Sequence, residues 1–183
     1  MHELLARQEG AFSRGQARAW GISDRSLAVR CRAGRIQRVY RGAYADFSGP
    51  VPWETRVWAA WLAYGPDAAL AGETALRHHG IAPAWGGVTR GDVARSGGGG
   101  VGRGDVVWLE VPHGRRVRGE SGVVITRARG FAQRVVASRE PPIVRVEVAV
   151  LTVASRRATP DGAAALVLDV CRQRRTTPRP AAE

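Results

Sequence analysis

Apolar residues in the first 48 positions come in short bursts punctuated by serine and glycine. Further along they lengthen into helical stripes and strand-like runs. The stretch FSRGQARAWGISDRSLAVRCRAGRIQRVYRGAY, residues 12–44, predicts a short helix, a tight turn, a second helix and a hairpin. Ser13 with Gln16 three residues later is a capping-box pair, and Gly21 after Trp20 provides a left-handed stop. Ser23 is the next N-cap, and Asp24 suits the positive end of the helix dipole. Ile22 and Leu27 form a hydrophobic staple, and Gly34 closes the helix. At roughly 100° per residue, Leu27, Ala28 and Cys31 share a face expected to pack inward. Arg25, Ser26, Val29 and Ala33 lie opposite, with Arg30 and Arg32 towards the edges. Ile36, Val39, Tyr40 and Tyr44 favour strands around a turn at Arg41-Gly42.

Beyond a joint at 46–50, Pro52 opens a helix ending near Tyr64, with Trp53, Val57 and Trp61 at four-residue spacing and Trp58 and Leu62 beside them. A tryptophan stripe reads as core more readily than as a ligand face. A shorter helix covers about 72–79. Residues 106–111 read as a strand partnered by 123–127 across a loop at 112–122, and a short pair is expected at 134–137 and 143–146. Helices follow from about Glu147 to Ala154 and from Thr159-Pro160 onward, the last with Leu166, Val167, Val170 and Cys171 inward. The expected fold class is α+β: an N-terminal winged helix–turn–helix (1–48), then a small mixed α/β domain with antiparallel strands (49–175), and a disordered tail (176–183).

Charge gives the N-terminal unit its meaning. The formal net charge is +12 and every one of the 28 basic residues is arginine. Heavy use of arginine, alanine, glycine and valine points to GC-rich coding, so placement says more than the total. Residues 1–45 hold nine arginines against Glu3, Glu9 and Asp24, and 25–41 hold six with no carboxylate. A helix presenting arginine and small residues fits the major groove. The expected reading set is therefore Arg25, Ser26 and Val29 at base edges, with Arg30, Arg32, Arg35, Arg38 and Arg41 on phosphates; helix 24–33 lies in the groove and wing 35–44 on the backbone. Arg115, Arg116 and Arg118, with Arg127 and Arg129 nearby, form a second basic cluster that would extend a nucleic-acid track or merely be solvated. RNA would favour exposed aromatics, and the aromatics here read as core.

The segment LLARQEGAFSRGQARAWGISDRSLAVRCRAGRIQRVYRGAYA resembles the N-terminal winged-helix domain of AbiEi-like antitoxins of type IV toxin–antitoxin systems. LAGETALRHHGI, VWLEVPHGRRVR and GVVITRAR are similar to their middle region. The resemblance implies a DNA-binding autoregulator of its own promoter, beside a nucleotidyltransferase-like toxin. Longer members carry an endonuclease-like C-terminal domain, and this chain is expected to be a short form or a remnant without it.

Other chemistry finds little footing. Without lysine there is neither a P-loop nor the usual lysine of a restriction-type nuclease site. Asp105 and Glu110 bracket a strand but project to opposite faces. The G-x-G-x-x-G match at 97–102 lacks a preceding strand and reads as a loop. Adjacent His78 and His79 point about 100° apart on a helix and do not readily share a metal, and His113 stands in a turn. Cys31 and Cys171 are too few for a disulfide framework. No enzyme activity, cofactor or metal is expected, and no apolar run approaches the roughly 20 residues of a membrane span. The expected location is cytoplasmic and the expected partner duplex DNA. Two alternatives remain open: an interaction module that holds a toxin, and a non-catalytic DNA-targeting fragment of an endonuclease-like protein. A homodimer on DNA is compatible with operator binding, though no heptad predicts it.

Overall fold

Local chemistry sets the N-terminal elements in the computed structural model, which describes residues 1–81, 106–157 and 159–176 (side chains to 173). Helix α1 spans His2–Arg7, strand β1 Ala11–Ser13, helix α2 Arg14–Ala19 and helix α3 Asp24–Arg32. Both halves of the Ser13–Gln16 capping box form, Ser13 N–H donating to Gln16 Oε1 at 2.7 Å and Gln16 N–H to Ser13 Oγ at 3.1 Å. Gly21 turns the chain in the left-handed region at φ 76°, and Ser23 Oγ caps α3 by accepting the Ser26 N–H at 3.2 Å. Strands β2 (Gln37–Tyr40) and β3 (Ala43–Ala45) make the wing, joined at Arg41-Gly42 with Gly42 at φ 81°.

Neither α1 nor β1 was predicted. β1 pairs antiparallel with β3, giving a three-stranded sheet in the order β1-β3-β2. Phe12 sits opposite Tyr44, their rings stacked at 5.5 Å, on the face that closes the small helical core with Leu5, Ala17, Leu27 and Ile36. The reverse face carries Ala11, Ala43 and Ala45, all fully buried, and helix α4 (Trp53–Tyr64) packs on it. Three alanines on one face leave a shallow surface that a helix can approach closely. Through Ala11, Ala43 and Tyr40 the wing sheet enters the same core as Val57, Ala60 and Tyr64.

The second sheet has the order β6-β5-β4-β8-β7, from β4 (Ala69–Leu70), β5 (Val107–Pro112), β6 (Val123–Ala128), β7 (Val135–Val136) and β8 (Ile143–Val144). Helices α5 (Gly72–His78), α6 (Phe131–Arg134), α7 (Val146–Ala154) and α8 (Pro160–Thr176) complete the described chain. The antiparallel pairs β4–β5 and β7–β8 match the expected mixed α+β class. The longest pair does not follow a hairpin: β5 and β6 run parallel, Val107 opposite Val123 and Pro112 opposite Ala128. The return segment 113–122 is tied across the end of α4, where Tyr64 donates its hydroxyl to the Arg118 carbonyl at 2.8 Å. That tether carries the chain back to the start of β5 before the next strand begins.

Three inward assignments are corrected. Ala28 is exposed, because α3 rests on its core through Leu27 alone, with Cys31 half-buried at the edge. Among the described residues of α8, Leu166 and Val170 are buried, while Val167 and Cys171 are exposed, because the packing against α7 covers a narrow stripe. Thr159 Oγ1 does cap α8, accepting the Gly162 N–H at 3.2 Å, and the helix continues through Thr176. Residues 177–183, the glycine motif at 97–102 and Asp105 lie outside the described residues.

One close approach locks the second sheet to α5. Gly72 has φ 48°, and a Cβ there would stand 2.5 and 2.8 Å from ring atoms of Trp108, itself buried. Gly72→Ala combines a left-handed side chain with overpacking, and is expected to cost about 2–4 kcal/mol in a urea melt. A loss within 0.5 kcal/mol would mean that the indole moves freely.

Candidate nucleic-acid interface

The surface of α3 follows from its narrow seat. With only Leu27 fully buried, Arg25, Ala28, Val29 and Arg32 form an exposed stripe at one-turn spacing, and Arg30 and Ala33 are exposed beside it. Val29 is 54% exposed, an apolar side chain held out from the protein between two arginines. Such a residue suits a thymine methyl in the major groove. Ser26 is half-buried and partly committed: its N–H bonds Ser23 Oγ, and its own Oγ accepts from the Ser23 hydroxyl at 3.1 Å. Its hydroxyl proton is still available to a base.

The wing continues the same charge. Arg35, Arg38 and Arg41 are exposed. Arg38 stands opposite Tyr44, on the sheet face that carries Phe12 and Tyr44 to the helices rather than on the α4 face. Gln37 points the other way and donates to the Phe47 and Gly49 carbonyls at 3.1 and 2.9 Å, anchoring the wing to the joint before α4. Among the described residues, no hydrogen bond or ion pair holds the guanidinium of Arg25, Arg30, Arg32, Arg35, Arg38 or Arg41.

Arg14 and Arg18, absent from the predicted set, fix the relation between the two helices of the motif. Arg14 Nε donates to Asp24 Oδ1 at 2.6 Å and Arg18 Nη2 to Oδ2 at 2.7 Å, while Arg14 Nη2 also bonds Oδ2. They stand one turn apart on α2, facing the first residue of α3. That spacing, with Asp24 at the start of the next helix, was the signal available. The hydrogen bonds from Arg14 and then Arg18 hold the Asp24 carboxyl well below the usual carboxylate range. A depressed value means that the clamp is complete above the ordinary Asp pKa of about 3.9 and is lost only as the pH falls through the lowered one. Asp24→Asn should release both arginines and remove a negative charge from the groove-facing end. Its expected signature is a salt slope steeper by about 1–2 and a larger affinity gain on scrambled than on cognate duplex. Equal weakening on both would mean that the clamp acts by holding the helix angle.

The second basic cluster divides. Arg116 and Arg118 are exposed, but Arg115 is half-buried and donates through Nη2 to the Tyr64 carbonyl, satisfying the end of α4. The sequence gives no sign of this role because its partner lies 51 residues away.

Other candidate chemistry is absorbed by packing. Glu110, 1% exposed, is held by Arg134 through Nε–Oε1 at 2.7 Å and Nη2–Oε2 at 2.9 Å. Arg77 lies over the Trp53 ring at 3.6 Å, and His78 packs beside it at 5.4 Å. His79 Nε2 meets the Val144 carbonyl at 2.9 Å. Among the described residues no three histidines, cysteines or carboxylates gather to hold a metal, and no helix is long and apolar enough to cross a membrane.

A capped helix pair with a basic exposed face, backed by a three-stranded sheet, makes the N-terminal part a winged helix–turn–helix. In agreement, residues 1–45 match the family described as transcriptional regulator, AbiEi antitoxin. The matched span runs from α1 to the end of β3 and contains every residue of the N-terminal reading set. No curated protein matches the chain.

Proposed function

We propose that the protein binds duplex DNA sequence-specifically and regulates transcription of its own promoter from the cytoplasm. In this reading α3 enters the major groove, with Arg25, Ser26 and Val29 nearest base edges. Arg30, Arg32, Arg35, Arg38 and Arg41 engage phosphates and set the register. The observation that carries it is the exposure on α3 and the wing of six arginines without a partner among the described residues, together with an outward Val29, while Asp24 is neutralised by Arg14 and Arg18. Like charges gathered without partners repel one another and favour a polyanion. The extent of the unit, 1–48 as DNA-binding part and 49–175 as a second part, belongs to the same proposal.

Fluorescence anisotropy on the chain's own upstream DNA against a scrambled duplex, at physiological salt, tests it. A preference of ~10³-fold or more is the expected result, the lower end for site-specific binders. Equal affinities would reduce the face to a basic surface and overturn specific regulation.

One observation favours a protein partner as the second reading. Leu151 (66% exposed) and Val167 border a cleft between α7 and α8, also lined by Val146, Val150 and Val170. A cognate toxin would be held there. Co-purification with the product of the adjacent gene, lost in Leu151→Glu, is the test; co-purification unaffected by that change would place the contact elsewhere.

A further inference from the structure

The wing turn and the 113–120 loop, far apart in sequence, meet across the end of α4. Arg41, Tyr64, Arg115, Val117, Arg118 and Glu120 line an open cleft of about 260 Å³ between them. Arg115 is held rigidly by its bond to the Tyr64 carbonyl, yet its other terminal nitrogen, Nη1, is enclosed and has no hydrogen-bond partner among the described residues. The Arg115 charge is therefore held in place in the cleft wall without a compensating carboxylate of its own among the described residues. Arg41 and Arg118 reach the same cleft from opposite sides, both exposed and without a described ion pair, and Glu120 is the one carboxylate in its lining. The loop is further fixed by the Tyr64 hydroxyl on the Arg118 carbonyl; burial pushes the Tyr64 pKa up to about 12, so this donor keeps its proton.

We propose that this cleft is a phosphate site, with Arg41 and Arg118 as its cationic ligands and Arg115 as a fixed charge in its wall, and that it takes a backbone phosphate of the duplex next to the stretch covered by the wing. Planar guanidinium forks match phosphate oxygens, and the fixed charge of Arg115 in the cleft wall adds to the attraction. Size selects among phosphate-bearing ligands. The cleft falls below the ~300–1,000 Å³ of pockets that enclose a whole small molecule, and it is open on one side. It therefore suits a single phosphate of a chain that runs on past. The inference rests on the DNA reading above and joins the two basic clusters into one track: α3, wing, then the 113–120 loop.

Two arms applied to the full chain separate the ideas. In the first, salt slopes are measured for the native chain and Arg118→Ala on a long duplex, and on one trimmed by ~5 bp at the wing side, about half a helical turn. Arg118→Ala should flatten the slope by about 0.9 on the long duplex, lower affinity for every sequence alike, and change nothing on the trimmed one. Arg118→Glu should do the same more strongly. In the second, inorganic phosphate is titrated while the arginine Nε–H resonances are followed by NMR. Saturable shifts at Arg41 and Arg118, the former weakened in Arg118→Ala, are expected. DNA binding with neither the slope change nor the phosphate shifts would overturn the site while leaving the DNA reading standing. Phosphate shifts in a chain that does not bind DNA would overturn that reading and the backbone source, and make this a site for a free phosphate.

Discussion

Affinity for cognate DNA will fall on the order of 500-fold as monovalent salt rises from about 50 to 200 mM, a slope of roughly −4.5 for five neutralised phosphates. The five arginines behind that figure, Arg30, Arg32, Arg35, Arg38 and Arg41, are all exposed and without described partners. Each releases condensed counterions when it meets a phosphate, so Arg38→Ala should flatten the slope by about 0.9 and weaken all sequences alike. Arg25→Ala should act differently. A base-edge contact carries about 1–3 kcal/mol of discrimination, so this variant loses sequence preference while its salt slope barely moves. A flat response in the native chain would sink the electrostatic argument. Loss of preference in Arg38→Ala, with uniform weakening in Arg25→Ala, would show that helix and wing have exchanged roles.

Arg134→Ala will destabilise the second sheet by about 3–5 kcal/mol, because it strands a charge that the fold has taken out of water. The pair is asymmetric: the Glu110 side chain is 2% exposed and that of Arg134 36%. Removing the arginine leaves a buried carboxylate between β4 and β6 without its two hydrogen bonds. Removing the carboxylate leaves an arginine that already reaches solvent, so Glu110→Ala should cost clearly less. Replacing both, Glu110→Leu with Arg134→Met, should recover most of the loss, since a well-packed apolar pair often substitutes for a buried ion pair. Urea melts of the three variants decide it. Equal losses in both single variants would mean that packing around the pair, rather than the stranded charge, sets the cost.

The helix–turn–helix and hairpin of residues 13–44 were legible in the sequence because their determinants are local, whereas α1 and β1 were missed, β1 being set by its pairing with the distant β3. The Ser13–Gln16 box, the Ser23 cap, the left-handed Gly21 and the Arg41-Gly42 turn each act within a few residues. The exposure of Arg25, Val29 and Arg32 follows from helical period and the position of Leu27. Where the same logic failed, the missing information was how much neighbouring surface exists. Ala28 lies towards Leu27 and Cys31 by angle, but the small core is too narrow to cover it. Val167 and Cys171 fail in the same way against α7. β4 has two residues, Ala69 and Leu70, and owes its identity as a strand to β5 and β8 on either side.

Sequence alone determined that an arginine-rich helix and turn would stand together, because capping, glycine conformations and the 3.6-residue period bind near neighbours. Only the tertiary structure decided which arginines are free. Arg14 and Arg18 are spent on Asp24, Arg134 on Glu110, and Arg115 on the carbonyl of Tyr64. The same long-range packing decided that β6 returns parallel to β5 and that α4 seats on three alanines of the wing sheet. A guanidinium reads the same in every sequence position; what it binds is set by the carboxylates and carbonyls that the fold brings within hydrogen-bond reach.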